Sequence, residues 1–535
     1  MVESIPTFRL TVSEGGLDIE ENADKLFGYC VEASKGPILT PTFCSTNEQV
    51  KKIFGLDFAP HFYQNPTGIV ICRVGFPNAK ASSISYQMTE KEATVPDSPE
   101  TVTMLKIESV EKGTTPIIVN VTENALSAGT YNLYIKIPDV LEKTYNAIPS
   151  LYSVCKRINS NYAEYIKATY DPENKLETLS KEETDFDFVA DSNNGALQGG
   201  SNGVYTNTQG EPTETPIPAT GVDFSLRKDS YEEQDPNPDQ TLYQAYKPAF
   251  EKMKEVNLLG IATLSNAEVV QNLLIEHIEE MNDEEVAQLR FGVLGYIGEP
   301  GTANDFETLI EVPMICDNEY IIYIGQGVRF KDKDKEYDLP AYKAVMLYTG
   351  IRSKLDYDDS IFGGEPKKIL NGVVDTLPLI NSNEILVKSD LEYLNESGVC
   401  TFKKEYDDVT FLEGVTTCTS KDVLSYESIM SIVCYVTKRL IAASKPYMGQ
   451  NLTEDLKASL ESTLIAELKT IVQTDQSLIE IGEYNMPPYS VEVSSNVLVK
   501  FDEVGELIRE SKVIVKCKII PVGALRMIDL GVIVI

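Results

Sequence analysis

The two histidines of the chain, His61 and His277, are the first candidates for chemistry, because imidazole is the commonest general base at neutral pH. His61 lies in the turn-like stretch APHFYQNP, and His277 lies on a predicted helix among three glutamates. Neither has a sequence context that places a nucleophile beside it, and no G-x-S-x-G elbow occurs. The residues therefore indicate no catalytic site.

Four short motifs resemble ligand-binding loops but lack a required residue. YIGQGVRF has two glycines after an apolar strand, yet Phe330 replaces the third glycine of a dinucleotide fingerprint. GGEPKKI (363–369) lacks the P-loop spacing, and DKDKE (332–336) lacks the glycine and final acid of a calcium loop. GGSNG (199–203) is compatible with a phosphate cradle, but no helix opens after it, which favours a tight turn. We expect no cofactor and no metal.

The charge balance argues against nucleic acid as a partner. Asp and Glu number 82 against 47 Lys and Arg, for a net charge of −35 over 535 residues, and no dense basic cluster occurs. The 42% hydrophobic and 24% charged content is typical of a globular chain of several domains. We expect no membrane insertion and no signal peptide, because no long apolar run or basic leader is present. Identical copies should repel one another, so self-assembly would need a stronger attraction.

The nine cysteines are odd in number and form no C-x-x-C pair. Most have apolar neighbours, which predicts buried free thiols in a reducing compartment.

Alternating strand and helix signals predict an α/β core in two stretches of the chain. In the first, Thr46 is placed to cap a helix that Gly55 ends. In the second, 257–264 is a predicted strand, and the continuous apolar runs at 291–298 and 320–327 are typical of buried parallel strands. The predicted helices are 341–351, 425–444, 453–472, one with a capping box of Ser265 and Glu268, and a short one capped by Ser389 with Glu392.

Composition changes along the chain divide it into an arm, a split core, an insertion and a second arm. Residues 86–190 alternate with period two, and 191–240 are rich in Gly, Asn, Pro and Asp. The predicted segments are a 1–20 N-terminal arm, 21–85 first part of the core, 86–190 mostly β insertion domain, 191–240 linker, 241–400 α/β core, 401–520 C-terminal domain and 521–535 C-terminal arm.

The printed sequence ends in LGVIVI, a strongly apolar strand pattern in an acidic protein. Such a strand is covered either by its own subunit, as an edge strand, or by addition to the sheet of a neighbour. TFRLTV (7–12) is a second strand of this kind, and VIVKCKII (513–520) is the candidate acceptor.

The order of several motifs resembles the contractile tail sheath proteins of myoviruses and related contractile injection machines. The likeness spans nearly the whole chain and is weakest in 86–190 and 204–240. The helix near 341–351 departs from the family pattern, since it reads AVMLYTGIRSKLDYDD. The motifs are GYCVEASKGPILTPTFCSTNEQVKKIFG (28–55), ALQGGSNG (196–203), Leu394-Asn395 with Gly398-Val399, Gly414 with Thr416-Thr417, and PYMGQN (446–451).

The resemblance implies a subtilisin-like α/β core without a catalytic triad, an outward-facing insertion domain and arms that reach neighbouring subunits. It implies a non-enzymatic subunit of a virion tail sheath, assembled in the host cytoplasm as hexameric rings in a helical stack. Its partners would be further copies, a tail tube protein, and baseplate and tail terminator proteins. Contraction would drive the tube through the host envelope and lead to genome ejection in a phage.

The resemblance also assigns roles to residues. The arm strands are Phe8, Arg9, Leu10, Thr11, Leu530, Gly531, Val532, Ile533, Val534 and Ile535. The hinges beside them are Gly15, Gly16 and Gly523, and the basic residues that could face an acidic tube are Lys438, Arg439, Lys445 and Lys457. The main alternative is an unusual hydrolase on an α/β core. A surface-layer protein is a weaker one, since it would need an export signal.

Overall fold

The computed structural model describes residues 25–33, 36–75, 81–90, 101–112, 117–137, 141–163, 165–172, 186–189, 197, 204–206, 212–216, 238–283, 288–303, 305–333, 335–363, 365–380, 388–420, 424–447, 453–474, 479, 489–501 and 507–519. The chain divides into two compact units. The first is formed by 1–13, 28–58 and 68–256, and the second by 14–27, 59–67 and 257–535.

The first unit begins with three short strands and a capped helix. The strands β1 (Phe27–Val31), β2 (Thr42–Cys44) and β3 (Ile69–Arg73) are neighbours in the order β1-β3-β2, and every residue of β1 and β3 is buried. Helix α1 (Asn47–Phe54) begins where the Thr46 side chain accepts a hydrogen bond from the Gln49 backbone N–H, and ends at Gly55 with φ 75°. Both predicted ends of this helix are confirmed.

The same unit contains a β-rich module of two antiparallel sheets. One has the strand order β10-β4-β5-β9 and the other β6-β7-β8, and their buried side chains form one apolar cluster with a helix, α3. The elements are β4 (Ala81–Glu90), β5 (Thr101–Lys112), β6 (Ile118–Glu123), β7 (Tyr131–Ile137), β8 (Leu141–Ile148), α3 (Leu151–Asn161), β9 (Ile166–Tyr170) and β10 (Phe186–Phe188).

The rest of the first unit lies in and after the predicted linker. That linker is not uniformly irregular, because β11 (Val204–Thr206) and β12 (Pro212–Pro216) pair within it as an antiparallel hairpin. Helix α4 (Pro238–Met253) then begins within the last residues of the predicted linker.

The second unit contains four parallel strands in the order β13-β14-β15-β19. The first three, β13 (Gly260–Thr263), β14 (Phe291–Gly295) and β15 (Ile321–Ile324), are entirely buried, which confirms the predicted parallel strands. β19 (Val399–Cys400) pairs with β15. The subtilisin-like description of this core stays a prediction.

Helices accompany the parallel strands of the second unit. Helix α7 (Ala341–Lys354) has twelve of its fourteen residues buried, so it is a core helix with no solvent face. The others are α2 (Ala59–Phe62), α5 (Glu268–Asn282), α6 (Phe306–Cys316), α8 (Lys388–Glu396), α9 (Glu427–Ser444) and α10 (Glu454–Thr474), with 3-10 turns at Pro366–Lys368 and Lys445–Tyr447.

Smaller antiparallel sheets complete the second unit. β16 (Val328–Asp332) pairs with β17 (Lys335–Leu339) and β18 (Val373–Thr376), and β20 (Phe402–Glu405) pairs with β21 (Asp408–Phe411). DKDKE lies at the β16–β17 turn, where Lys333 has φ 55°. The long strands β22 (Tyr489–Phe501) and β23 (Leu507–Ile519) form a two-stranded sheet.

Two predicted caps are wrong. Helix α5 begins at Glu268 after Ala267, and Ser265 instead accepts a hydrogen bond from the Ala267 N–H at 3.2 Å, so it forms a turn before the helix. Ser389 lies inside α8, which begins at Lys388. In both cases a Ser-to-Glu spacing matched the capping box while the helix started elsewhere.

Close packing explains the two glycines of YIGQGVRF. A Cβ at Gly325 would lie 2.3 Å from Val399 Cγ1, and one at Gly327 would lie 2.6 Å from the Leu339 carbonyl oxygen. These glycines let neighbouring strands approach one another.

All nine cysteines are free, and seven are buried, while Cys316 and Cys517 are half-buried. Burial raises the pKa of the Cys44 thiol to about 11 and that of the Cys434 thiol to about 12. Protonated thiols are poor nucleophiles, and the prediction that most of the cysteines are buried and free is confirmed. Across the described ranges, no helix is both long and apolar enough to cross a bilayer.

Gly350→Ala tests the packing of α7 on α2. Alanine normally stabilises a helix interior by about 1 kcal/mol over glycine. Here the added Cβ would lie 2.6 Å from the His61 carbonyl oxygen. We therefore expect the substitution to destabilise by about 1–3 kcal/mol, seen as a lower urea midpoint.

Lys469→Ala, at an exposed position of α10, is the matched control and should change stability by no more than about 0.5 kcal/mol. A more stable Gly350→Ala protein would show that α7 and α2 are not closely packed.

Candidate assembly surfaces

The predicted arm strands and hinges lie outside the described residues. These are Phe8, Arg9, Leu10, Thr11, Gly15, Gly16, Gly523, Leu530, Gly531, Val532, Ile533, Val534 and Ile535. Their roles stay predictions. The predicted acceptor segment, in contrast, is described except for its last residue.

The acceptor segment belongs to the long ribbon formed by β22 and β23. Its strands pair in one continuous antiparallel register, from Tyr489↔Ile519 to Phe501↔Leu507. β23 begins at Leu507, earlier than the predicted 513. Among the residues that the structure describes, no further strand pairs with either outer edge of this ribbon. Each edge therefore presents backbone groups of the kind that an added strand can pair with.

One end of the ribbon is fixed to helices α9 and α10. Tyr489 and Val491 of β22 lie on the same face as Cys517 and Ile519 of β23, because they are two residues apart in each strand. These four side chains pack against a buried apolar cluster, so the helices support the ribbon at this end. The cluster consists of Ile432, Val436, Leu468, Ile471 and Ile479.

The four predicted tube-facing residues lie on or near α9 and α10. Lys438 donates to the Leu258 carbonyl oxygen at 2.9 Å, and Arg439 donates to Glu467 at 2.7 Å. Lys457 pairs with Glu454 at 2.6 Å, and Lys445 is exposed. Lys438, Arg439 and Lys457 thus contact groups of their own subunit, and the orientation of all four residues toward a tube stays a prediction.

A buried ion pair that the sequence did not predict fixes the first turn of α9. Arg352 Nη1 lies 3.3 Å from Glu427 Oε1, and the two side chains are 1% and 0% exposed. Tyr348, one turn before Arg352 on α7, donates to the same oxygen at 3.2 Å. Arg352 also donates to the carbonyl oxygens of Asp356 and Asp359, which fixes the loop that follows α7.

The backbone around Glu427 adds to this constraint. Its N–H donates to the Gly414 carbonyl oxygen at 3.1 Å, and the Thr416 N–H donates to Ser425 O at 2.8 Å. Burial raises the pKa of Glu427, while Arg352 and the hydrogen bond from Tyr348 oppose the shift. The positive end of the helix dipole also favours a carboxylate in the first turn. The carboxyl group is therefore expensive to bury and depends on Arg352.

One sequence feature lies in this cluster: the helix near 341–351 departs from the pattern of the family that the chain resembles. Arg352 follows Tyr348 by four residues, so both lie on one face of α7. Glu427 lies some seventy residues later, and no local pattern links it to that face.

Both histidines are buried among hydrogen-bonding groups. His61 Nδ1 lies 3.0 Å from Thr349 Oγ1, and His277 Nε2 lies 3.3 Å from Arg290 Nη1. His61 lies in helix α2, which replaces the predicted turn. Burial lowers the pKa of Arg290 to about 10. In the described part of the chain, no group of three or more His, Cys, Asp or Glu side chains is placed to hold a metal ion.

The fold of the chain resembles two solved sheath tail proteins. The protein from Listeria innocua aligns with a TM-score of 0.54 at 13% identity, over 91% of this chain and 94% of that chain. The protein from Desulfitobacterium hafniense aligns with a TM-score of 0.53 at 11% identity, over 95% of this chain and 99% of that chain. The resemblance predicted from the motifs is thereby confirmed at the level of the fold. No protein-family model and no curated protein sequence matches the chain.

Glu427→Ala tests the buried ion pair. It leaves the Arg352 charge buried without its carboxylate, so we expect a loss of about 3–5 kcal/mol in the free energy of unfolding. Glu427→Gln retains an acceptor for Tyr348 and should cost less. Urea unfolding measures both. A loss in Glu427→Ala no larger than that of the exposed-site control Lys469→Ala would show that the buried pair does not stabilise the fold.

The pH dependence of this pair has a definite sign. Because burial raises the pKa of Glu427 above its ordinary 4.5, its contribution to stability is complete below pH 4.5. The contribution falls as the pH rises through the higher folded-state value. The stability advantage of the native protein over Glu427→Gln should therefore shrink as the pH rises from 4.5 toward neutrality. Unfolding midpoints measured across this range check the sign, and a growing advantage would contradict it.

Proposed function

We propose that this protein is the structural subunit of a contractile tail sheath. The observation that carries the proposal is the fold shared with two sheath tail proteins over nine-tenths or more of this chain and of each of theirs. A shared fold alone does not fix a function, so the further support must come from features of this chain.

The first such feature is the ribbon of β22 and β23. Its two long edges suit the addition of one strand from each of two neighbours, which links subunits through backbone hydrogen bonds. The arm strands 7–12 and 530–535 are the segments that we propose to add there. Donor and acceptor surfaces differ, so the contact is head-to-tail and can build rings and a helical stack.

The second feature is the acidic charge. A net charge of −35 makes copies repel, and the repulsion is screened over about 10 Å at 0.1 M salt. Strand addition supplies attraction that does not depend on charge, since each buried apolar side chain contributes about 1.5–3 kcal/mol. Assembly should therefore survive a net charge that would otherwise keep subunits apart.

In the proposed mechanism, six-subunit rings stack around a tube protein in an extended, metastable state. A baseplate signal lets the subunits rotate outward while the arms, with glycine hinges at 15, 16 and 523, keep neighbours linked. The work comes from the difference between two packings. The particle would be a phage tail or a related injection machine, assembled in the host cytoplasm and closed by a terminator protein.

The alternative, an unusual hydrolase, has less support. Both histidines are buried and hydrogen-bonded, to Thr349 and Arg290. The Thr349 hydroxyl beside His61 is fully buried and donates to the Val345 carbonyl oxygen at 3.1 Å, and the Arg290 guanidinium beside His277 is not a nucleophile. We therefore propose a structural role without catalysis.

Truncation after Met527 tests the proposed strand exchange. Electron microscopy should show tubes or stacked rings from the full chain, and dispersed subunits from the truncated chain. Circular dichroism and the urea midpoint of the truncated chain should match those of the full chain.

A control truncation after Gly449 would remove α10 and the ribbon as well, and should unfold. If the Met527 truncation assembles as well as the full chain, the C-terminal strand is internal to its own subunit. If the full chain forms no ordered assembly even when mixed with its tube protein, the sheath function is wrong.

A further inference from the structure

A row of aromatic and charged side chains connects residue 25 with the helices that support the ribbon. Lys25 Nζ lies 5.5 Å from the centre of the Tyr357 ring, and the Tyr357 ring stacks on Tyr435 with centres 4.4 Å apart and planes at 27°. The Arg439 guanidinium lies 5.8 Å from the centre of the Tyr435 ring and donates to its hydroxyl oxygen at 3.1 Å. We call Lys25, Tyr357, Tyr435 and Arg439 the tyrosine ladder.

Ion pairs fix both ends of the tyrosine ladder. Lys25 donates to Asp356 Oδ1 at 2.9 Å, and Arg439 donates to Glu467 of α10 at 2.7 Å. A cation within about 6 Å of an aromatic ring is attracted to the ring face, and stacked rings attract one another further. The ladder is thus a continuous set of favourable contacts between the start of the described chain and the α9–α10 pair.

The middle of the ladder is held by the protein core. Tyr357 lies in the loop after α7, and Arg352 donates to the carbonyl oxygens on both sides of it, at Asp356 and Asp359. Both ladder tyrosines also pack against the apolar cluster beneath the ribbon. Tyr357 is therefore held in place, so a force applied at Lys25 would act on a fixed side chain.

Lys25 lies shortly after the proposed N-terminal arm in the chain, and this position indicates a function for the ladder. The proposed N-terminal arm ends at residue 20, and Leu26 already accepts a hydrogen bond from the Leu259 N–H at 2.7 Å, next to strand β13. Lys25 thus lies where the arm joins the folded unit.

We propose that the tyrosine ladder is a mechanical anchor, which fixes the root of the N-terminal arm to the same helices that support the ribbon. Tension received through the arm would then pass to the ribbon, where arms from neighbours are proposed to bind. The inference rests on the proposed sheath function for its purpose, but the coupling itself exists within one subunit.

Hydrogen–deuterium exchange on the full-length dispersed subunit tests this coupling without assembly. Tyr435→Leu removes the stack, and we expect the amides of residues 26–28 and of Leu259 to exchange about two- to five-fold faster, as for the loss of one exposed cation–π contact. Tyr435→Phe retains the ring and should exchange as the native protein does. Arg329→Ala, which removes the exposed ion pair with Asp338 elsewhere, is the matched control and should leave these amides unchanged.

Lys25→Met is a second test, which can be used if Tyr435→Leu does not fold, because it removes the cation at the other end of the ladder. It should raise exchange at residues 26–28 by a similar factor, and the double variant should be no faster than the faster single variant, because both break one chain of contacts. Faster exchange confined to α9 in Tyr435→Leu, or additive effects in the double variant, would overturn the anchor. Failure of the native protein to form tubes would overturn the sheath function instead, and would leave the exchange result unaffected.

Discussion

The placement of α9 depends on a buried charge that cannot be left without its partner. Glu427 begins the helix at 0% exposure, and Arg352 of α7 supplies the compensating charge. Burial makes such a pair costly, so its value lies in specificity: any shift of α9 along α7 would separate the charges in a medium that does not solvate them. The first turn of α9 is thereby held in one position, and because the helix is rigid its later turns are positioned as well.

Helix α9 supports the two features that we propose to act in assembly, which are the ribbon and the tyrosine ladder. Its middle turns and α10 enclose the apolar cluster under the ribbon, and Tyr435 and Arg439 of α9 complete the tyrosine ladder. The Arg352 guanidinium donates to the carbonyl oxygens of Asp356 and Asp359. These bonds fix the loop that contains the ladder residue Tyr357. One arginine therefore orients both the helix and the loop on which the proposed arm root is held.

This arrangement is compatible with a subunit that keeps its own fold while its contacts with neighbouring subunits change. The Arg352–Glu427 pair inside the second unit is buried, whereas no further strand among the described residues pairs with the edges of the ribbon. In a sheath, the bistable element would then be the contact between subunits, and an acidic surface would keep copies from associating through any other face.

Elements with local signals could be predicted from the amino-acid sequence. Thr46 and Gly55 set the ends of α1, and continuous apolar runs identified β14 and β15, because caps and burial act within a few residues. The order of short motifs along the chain was enough to predict the fold family. The capping-box spacings at Ser265 and Ser389 were misleading, because each helix starts at another residue, and those two predictions were wrong.

Contacts between distant residues, in contrast, became known only from the folded chain. Arg352 and Glu427 are separated by 75 residues, and Lys25 and Asp356 by 331. Neither the ion pair nor the tyrosine ladder has a sequence period, because each joins side chains from separate elements that meet only when the second unit folds. The glycines of YIGQGVRF are a further case: the missing third glycine argued against a ligand loop, and only the closeness of Val399 and Leu339 explains why glycine occurs there. The role of a side chain depends on the residues packed around it, and the folded core determines which residues those are.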